Sequence, residues 1–276
     1  MIIRKTDNYM PQITNGAKAL LLANIAVFVL GFLAERTGFD IDQNLGLHYI
    51  KSDYFKPLQF ITYMFVHAGF MHIFFNMFAL VQFGSMIESV WGTKRFVFYY
   101  LVTGVGAGVV HLIVTHLQLM PFMDAVDEFF ANPTPDALVT LGTSTNVFKD
   151  AAIMELADRW RTGNFTTEQI VEIFEQQVPQ AKAMLYNTPV VGASGAVFGL
   201  LLAFGLMFPN LKLQFLFIPI GIPAKYFVLI YGVAELFFGI KDFSGDNIAH
   251  FAHLGGMLVG FVLLMIWSRG ARRDYE

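Results

Sequence analysis

The hydrophobic pattern of the chain consists of six long apolar stretches separated by more polar segments. A helix needs about 20 mostly apolar residues to cross the hydrocarbon core of a bilayer, and each stretch approaches that length. The pattern therefore predicts an all-α membrane protein, a bundle of six transmembrane helices. Pro219 and Pro223 interrupt the fifth stretch. The predicted spans cover about residues 17–33, 68–87, 96–116, 189–208, 215–238 and 248–267.

Composition supports a membrane protein and excludes several other classes. Of the 276 residues, 55% are hydrophobic and 14% are charged, against about 25% charged residues in a typical soluble domain. Lys and Arg number 18 against 21 acids and form no basic run, which argues against nucleic-acid binding. The chain contains no cysteine, which excludes disulfides, thiol catalysis and cysteine metal sites.

The basic residues of the short flanks predict the orientation of the bundle. With six spans they all fall on one side, which should be the cytoplasmic side. Both termini are then cytoplasmic. The residues are Arg4, Lys5, Lys18, Lys94, Arg95, Lys212, Arg269, Arg272 and Arg273.

A long insertion, residues 117–188, separates the third span from the fourth on the outer side. It holds ten acids and four bases, a net charge of −6. Thr166 and Gln169 form a capping-box pattern before a stretch with apolar residues at helical spacing, which predicts a short amphipathic helix. These apolar residues are Ile170, Ile173, Phe174 and Val178. The insertion is either an ordinary acidic outer loop or a segment with a role in handling the substrate. The prediction is a single membrane domain, residues 1–276, that contains this insertion.

Polar residues inside apolar spans are candidates for function, because their burial in hydrocarbon is costly. Ser194 lies in the fourth span and His253 in the sixth, each next to a Gly-x-x-x-Gly face, residues 195–199 and 256–260. Such faces let two helix backbones pack closely, which would bring Ser194 and His253 together. Each residue lies five positions after the predicted start of its span, and both are expected about 7–8 Å below it.

The second span carries His72 and Asn76, which share one helix face because they are four residues apart. Both side chains can donate hydrogen bonds into the same outer cavity. The alternative is that His72 and Asn76 only form hydrogen bonds that link neighbouring helices. Glu235, deep in the fifth span, is a weaker functional candidate.

These motifs together resemble the rhomboid family of intramembrane serine proteases. They are Gly-x-Ser-Gly at 192–195, Ala-His-x-x-Gly-x-x-x-Gly at 252–260 and His-x-x-x-Asn at 72–76, in the family's order. Glu88 and the Trp-Gly pair at 91–92 extend the resemblance, which covers all six spans.

The resemblance implies a role for each motif residue. Ser194 would be the nucleophile and His253 its general base, in a dyad without a third, acidic member. The outer halves of the fourth and sixth spans contain no Asp or Glu, in agreement with a dyad. His72, Asn76 and the backbone N–H of Ser194 would stabilise the oxyanion, and Gly192 would let the backbone approach the substrate.

Three features depart from the family pattern. The residue four positions after the serine is commonly Tyr and is Phe198 here, so an aromatic face remains without its hydroxyl. Leu58 and Gln59 stand where many members carry Trp-Arg. The 117–188 insertion is far longer than usual, and its place before the nucleophile helix suggests a role in substrate access.

His250 either tunes the basicity of His253 or caps its helix.

The sequence thus predicts an intramembrane serine endopeptidase without a cofactor that cleaves transmembrane protein substrates near the outer leaflet. The membrane is expected to be the bacterial cytoplasmic membrane, and no oligomeric state is assigned. The alternative is a non-catalytic relative that binds membrane proteins or serves in their quality control. A metal site of His67, His72, His250 and His253 is disfavoured because it lacks an acid and the His-Glu-x-x-His motif. The spans lack the paired aspartates of an aspartyl protease and the inverted repeats of a transporter.

Overall fold

The structure, a computed structural model, describes residues 12–215, 218–241 and 249–273. Arg4, Lys5 and position 248, where the sixth span was predicted to begin, lie outside these residues. The helices are Asn15–Glu35, Ile41–Leu45, Gln59–Thr62, Tyr63–Phe65 (3-10), Phe70–Ala79, Leu80–Gly84 (π), Ser85–Trp91, Thr93–Ala131, Pro135–Thr143, Asp150–Arg161, Thr167–Tyr186, Ser194–Met207, Ala224–Lys241 and His250–Arg273, and the strands are Lys212–Phe215 and Ile218–Pro223.

Six of these helical segments occupy the positions of the predicted spans, and we number them as bundle helices. In order they are Asn15–Glu35, Phe70–Trp91, Thr93–Ala131, Ser194–Met207, Ala224–Lys241 and His250–Arg273. Within the described residues, the first, second, third and sixth are long and apolar enough to cross a membrane. The chain is an all-α membrane protein, as predicted.

Large apolar side chains cover the outer faces of the bundle helices. Leu30 is 61% exposed, Phe70 is 69% exposed and Ile240 is 68% exposed. A soluble protein rarely exposes contiguous apolar surface of this kind, whereas lipid tails solvate it. The fourth bundle helix is the most buried, with ten buried residues among its 14.

Three of the helices have bounds that differ from those of the predicted spans, and the third and fourth are two of them. The third helix continues to Ala131 and not to about 116, because Phe122, Val126 and Phe129 recur at helical spacing and are buried in a second apolar core. The fourth helix begins at Ser194 and not at 189, because Val190 pairs with Leu47 in a β-bridge and Gly192 has a positive φ of 123°. Ser194 is therefore the first residue of its helix and does not lie about 7–8 Å below the helix start, as was expected.

The fifth predicted span also begins too early. Residues Ile218–Pro223 of this span form a strand that pairs antiparallel with Lys212–Phe215, and Leu213 pairs with Ile222 and Lys212 with Pro223. The helix then begins at Ala224, directly after Pro223. Proline fixes φ near the helical value but cannot donate within a helix, so it marks the start of the helix and not its interior.

Glu88 holds the N-terminus of the first bundle helix. Its carboxylate accepts hydrogen bonds from the backbone N–H groups of Gly16 and Ala17, both at 2.8 Å, and from the hydroxyls of Thr14 and Thr93. The first N–H groups of a helix lack intrahelical partners, and a carboxylate satisfies both their hydrogen bonds and the positive end of the helix dipole. Glu88 thus has a structural role.

The chain divides into two compact units. The second unit consists of His48–Phe55 and Leu112–Pro189 and therefore contains the 117–188 insertion. Its helices surround an apolar core of their own, in which Leu138, Leu141, Ile170 and Phe174 are fully buried. The capping box at Thr166 and Gln169 is present, and the helix that it starts, Thr167–Tyr186, is 20 residues long and not short.

Replacing Phe174 with alanine is expected to destabilise the second unit by about 3–5 kcal/mol, because it removes a fully buried ring. Phe174 lies 5.4 Å from the ring of Phe129 and 5.8 Å from that of Phe148. Hydrogen exchange of residues 135–186 should accelerate in this variant. Phe130→Ala is the control, since this ring is 37% exposed and its loss should change exchange little. Equal exchange in the two variants would contradict the assignment of the core.

Candidate active site

Ser194 and His253 lie in direct contact. Ser194 opens the fourth bundle helix and His253 lies in the first turn of the sixth, and the Oγ atom of the serine is 2.8 Å from Nε2 of the histidine. A serine hydroxyl at this distance can pass its proton to the ring nitrogen. The two residues that the sequence paired are therefore placed together.

Glycines on both helices let the fourth and sixth helices pack this closely. A Cβ atom on Gly256 would overlap the carbonyl oxygen of Gly195, and a Cβ atom on Gly260 would lie 3.4 Å from the Cα atom of Gly199. At Gly256 the two backbones thus approach to a distance that a side chain would forbid, whereas a Cβ atom on Gly260 would first overlap the hydroxyl of Tyr99. The glycine faces predicted this packing, and Gly195 is the residue next to Ser194.

Phe198 packs flat against the His253 ring. The ring centroids are 4.2 Å apart and the ring planes differ by 4°. The aromatic face that the sequence analysis expected at this position is present. It confines the imidazole plane without the hydroxyl of a tyrosine.

His253 also contacts an acid, whereas the resemblance implied a dyad without a third, acidic member. The Oε2 atom of Glu235 lies 2.9 Å from Nδ1 of His253 and 2.7 Å from Nδ1 of His250. The acid comes from the fifth bundle helix and not from the fourth or the sixth. One feature of the sequence did indicate a contact of this kind. Glu235 is an acid deep in an apolar span, and a buried acid needs a partner in a membrane.

The backbone at Gly192 brings His72 to the site. Gly192 has a φ of 123°, and a Cβ atom there would lie 2.7 Å from both Cε1 and Nε2 of His72 and 3.7 Å from Oγ of Ser194. The edge of the His72 ring therefore covers the Gly192 backbone beside the serine. The oxyanion role of His72 stays a prediction.

Gly192→Ala is expected to lower activity about 100-fold or more. Alanine disfavours the positive φ, and its Cβ would push His72 and the loop before Ser194 apart, a displacement of the order of 1 Å that can cost about 100-fold in rate. The measurement is cleavage of a membrane substrate. Gly69→Ala is the control, because a Cβ atom there meets nothing within 4 Å. Full activity of Gly192→Ala would contradict this role.

Asn76 and His67 form hydrogen bonds with backbone groups and not with Ser194 or His253. Asn76 donates from Nδ2 to the backbone oxygen of His72 at 3.0 Å, so its amide bonds within its own helix and its oxyanion role stays a prediction. Nε2 of His67, in the loop before that helix, accepts from the backbone N–H of Ala193 at 3.4 Å. Burial, with a smaller contribution from His72, lowers the pKa of His67 to about 4, which keeps this acceptor neutral. No spacing in the sequence indicated the His67 contact.

One group among the described residues could hold a metal ion. Glu235, His250 and His253 each offer a ligand atom, these atoms lie within 4.8 Å of one another, and all three residues are buried. The histidine site that the sequence disfavoured included His67 and His72 and lacked an acid. The structure groups the histidines of the sixth helix with Glu235 instead.

Comparison with known proteins gives matches to one family. The family model described as the rhomboid domain matches residues 54–174 and 153–270. The chain is 25% identical over 274 residues to rhomboid-like protein 11, chloroplastic, of Arabidopsis thaliana, which covers 95% of this chain and 69% of that protein. It is 28% identical over 110 residues to the rhomboid protease GlpG of Haemophilus influenzae, covering 39% of this chain and 55% of that protein.

A third relative, rhomboid-like protein 15 of Arabidopsis thaliana, is 32% identical over 63 residues, which are 23% of this chain and 16% of that protein. The relative that covers most of this chain is chloroplastic. The comparisons therefore support an integral membrane protein and do not support the bacterial cytoplasmic membrane that the sequence analysis expected.

Proposed function

Because this chain belongs to the rhomboid family, we propose that it is an intramembrane serine endopeptidase that cleaves transmembrane segments of other membrane proteins. The proposal depends above all on one observation, the 2.8 Å contact between Oγ of Ser194 and Nε2 of His253. A serine hydroxyl is a weak nucleophile until a neighbouring base takes its proton. The contact supplies that base.

In the proposed reaction, the Ser194 oxygen attacks the carbonyl carbon of the scissile peptide bond while its proton passes to Nε2 of His253. The tetrahedral intermediate then expels the amide nitrogen, which takes the proton from His253, and an acyl-enzyme remains. Water attacks this ester by the same steps in reverse, with His253 again as base, and releases Ser194. The site must therefore admit water.

The negative charge on the intermediate needs hydrogen-bond donors that are already in place. As the first residue of its helix, Ser194 presents a backbone N–H at the positive end of the helix dipole. His72 lies beside it across Gly192 and is the proposed side-chain donor. Asn76 would join them after a rotation of its amide.

The test is cleavage and active-site labelling with the full chain in liposomes. The wild-type protein should cleave a reporter with one transmembrane segment that contains helix-destabilising residues. A fluorophosphonate should modify Ser194, as located by mass spectrometry of the peptides. Ser268 is the internal control, because its hydroxyl bonds the backbone oxygen of Met265 and lacks a base in contact among the described residues.

Label at Ser194 together with cleavage would support the proposal. A folded protein that neither cleaves nor reacts would overturn it and favour a non-catalytic relative that binds membrane proteins.

A further inference from the structure

Glu235 lies between two histidines in the interior of the bundle. One oxygen, Oε2, is 2.7 Å from Nδ1 of His250 and 2.9 Å from Nδ1 of His253. We propose that Glu235 and His250 are positioning residues for His253. The site then works as a triad of serine, histidine and glutamate, in which a second histidine, His250, binds the glutamate. This inference depends on the proposed function, since it assigns how His253 acts as the base.

The shared oxygen fixes which ring nitrogen of His253 carries the proton. A carboxyl oxygen that meets two ring nitrogens can donate a proton to at most one of them, while a carboxylate oxygen has two lone pairs and can accept from both. Both contacts are satisfied when each histidine donates from Nδ1. His253 then has a bare Nε2, and this atom faces the Ser194 hydroxyl.

Burial strengthens this arrangement. Glu235 is 5% exposed and both histidines are 8% exposed. A carboxylate that is buried without partners would be costly, and the two N–H donors offset that cost. When His253 takes the serine proton, its positive charge forms directly against the carboxylate, where the low dielectric makes the attraction strong.

Helix geometry explains why these three residues meet. His250 and His253 are three residues apart, so they share the face of the sixth helix that meets the fifth. Glu235 and Gly239 are four apart on the fifth helix and share the opposing face. A Cβ atom on Gly239 would lie 3.2 Å from Cβ of His250, so the small residue lets the two helices approach beside Glu235.

His250 has a distinct part in the proposal. Its Nδ1 lies 2.7 Å from Oε2, and its ring stacks on that of Phe238 with the centroids 5.8 Å apart. It therefore prevents Glu235 from turning away from the base. His250→Phe should keep the ring packing, remove the donor and lower kcat about tenfold, less than loss of the acid itself.

The first experiment needs no variant of the acid. Histidine labelled with ¹⁵N is incorporated into the full chain in detergent micelles, and the His253 signals are identified by their absence from His253→Gln. At a pH where the ring is neutral, the proton should reside on Nδ1, seen as a one-bond coupling, and Nε2 should be bare. A neutral His253 with its proton on Nε2 would overturn the proposal, whether or not the protein cleaves substrate.

The second experiment replaces the acid by its neutral isostere. Glu235→Gln should lower kcat about 100-fold or more and leave KM within about threefold, because tautomer and charge affect the chemical step and not substrate binding. Glu88→Gln is the matched control, because Glu88 is another buried acid of the same unit. Its carboxylate accepts hydrogen bonds from Thr14, Gly16, Ala17 and Thr93. This variant should lower thermal stability and keep the kcat of the folded protein.

Two results of these assays would count against the proposal. One is a folded Glu235→Gln protein with a kcat within about threefold of wild type. The other is wild-type activity that EDTA removes and zinc restores, because the three residues would then hold a metal ion and not a proton. If the wild type does not cleave at all, the proposed function fails, while the NMR measurement still decides the position of the proton.

Discussion

Replacing Ser194 with alanine is expected to reduce cleavage by about 10⁴-fold or more, since loss of the attacking oxygen leaves only binding and oxyanion stabilisation. The folded state should be unaffected, because the hydroxyl makes one described contact, with His253. The measurement is the initial rate of reporter cleavage in liposomes, with thermal unfolding recorded on the same samples.

Ser85→Ala serves as the matched control for this prediction. Ser85 is another buried serine, 3% exposed, in the second bundle helix, and the reaction does not need its hydroxyl. Its variant should cleave at the wild-type rate. If Ser194→Ala retains a substantial rate while Ser85→Ala behaves normally, the nucleophile lies elsewhere and the proposed mechanism is wrong.

Gly256→Ala should affect both the fold and the reaction. The new Cβ atom would overlap the carbonyl oxygen of Gly195, a backbone atom that cannot rotate away, so the fourth and sixth helices must separate. We expect a loss of about 1–3 kcal/mol in the free energy of unfolding, as for other overpacked interiors. A shift of 1 Å between Ser194 and His253 should cost about 100-fold in rate or more.

Gly232→Ala tests whether close contact with backbone is the cause. Gly232 lies within the fifth bundle helix, and a Cβ atom there would meet only the flexible end of Met257, at 3.2 Å. This variant should keep both stability and activity, because the methionine can rotate. Equal losses in the two variants would show that any added methyl group harms the bundle. The glycine contact at 195 and 256 would then have no special role.

The features that could be predicted from the sequence are those that repeat along one helix. Apolar stretches of about 20 residues located the bundle helices, and glycines spaced by four predicted the close pair of helices that carries Ser194 and His253. The start of the fourth helix was not predictable in this way. It depends on the pairing of Val190 with Leu47, which is distant in sequence, and on the positive φ of Gly192.

The contact between Glu235 and His253 was not predictable for a related reason. A spacing rule applies within one helix, and Glu235 reaches His253 from another helix, with a separation of 18 residues that includes the end of one helix and the start of the next. Only the cost of an acid in hydrocarbon indicated a partner, and that argument does not say which partner. By contrast, the ring of Phe198 was predictable because it lies one turn after Ser194 on the same helix.

The carboxylate of Glu88 constrains the order in which the protein assembles during synthesis. It is separated by 72 residues from Gly16 and by 71 from Ala17, whose N–H groups it binds. A growing chain emerges from its N-terminus, so the first helix is made long before the acid that completes its N-terminal hydrogen bonds. Until the second helix has been made, those N–H groups must be satisfied by water or by lipid headgroups. The first helix can therefore complete its docking against the second helix only after Glu88 has been synthesised.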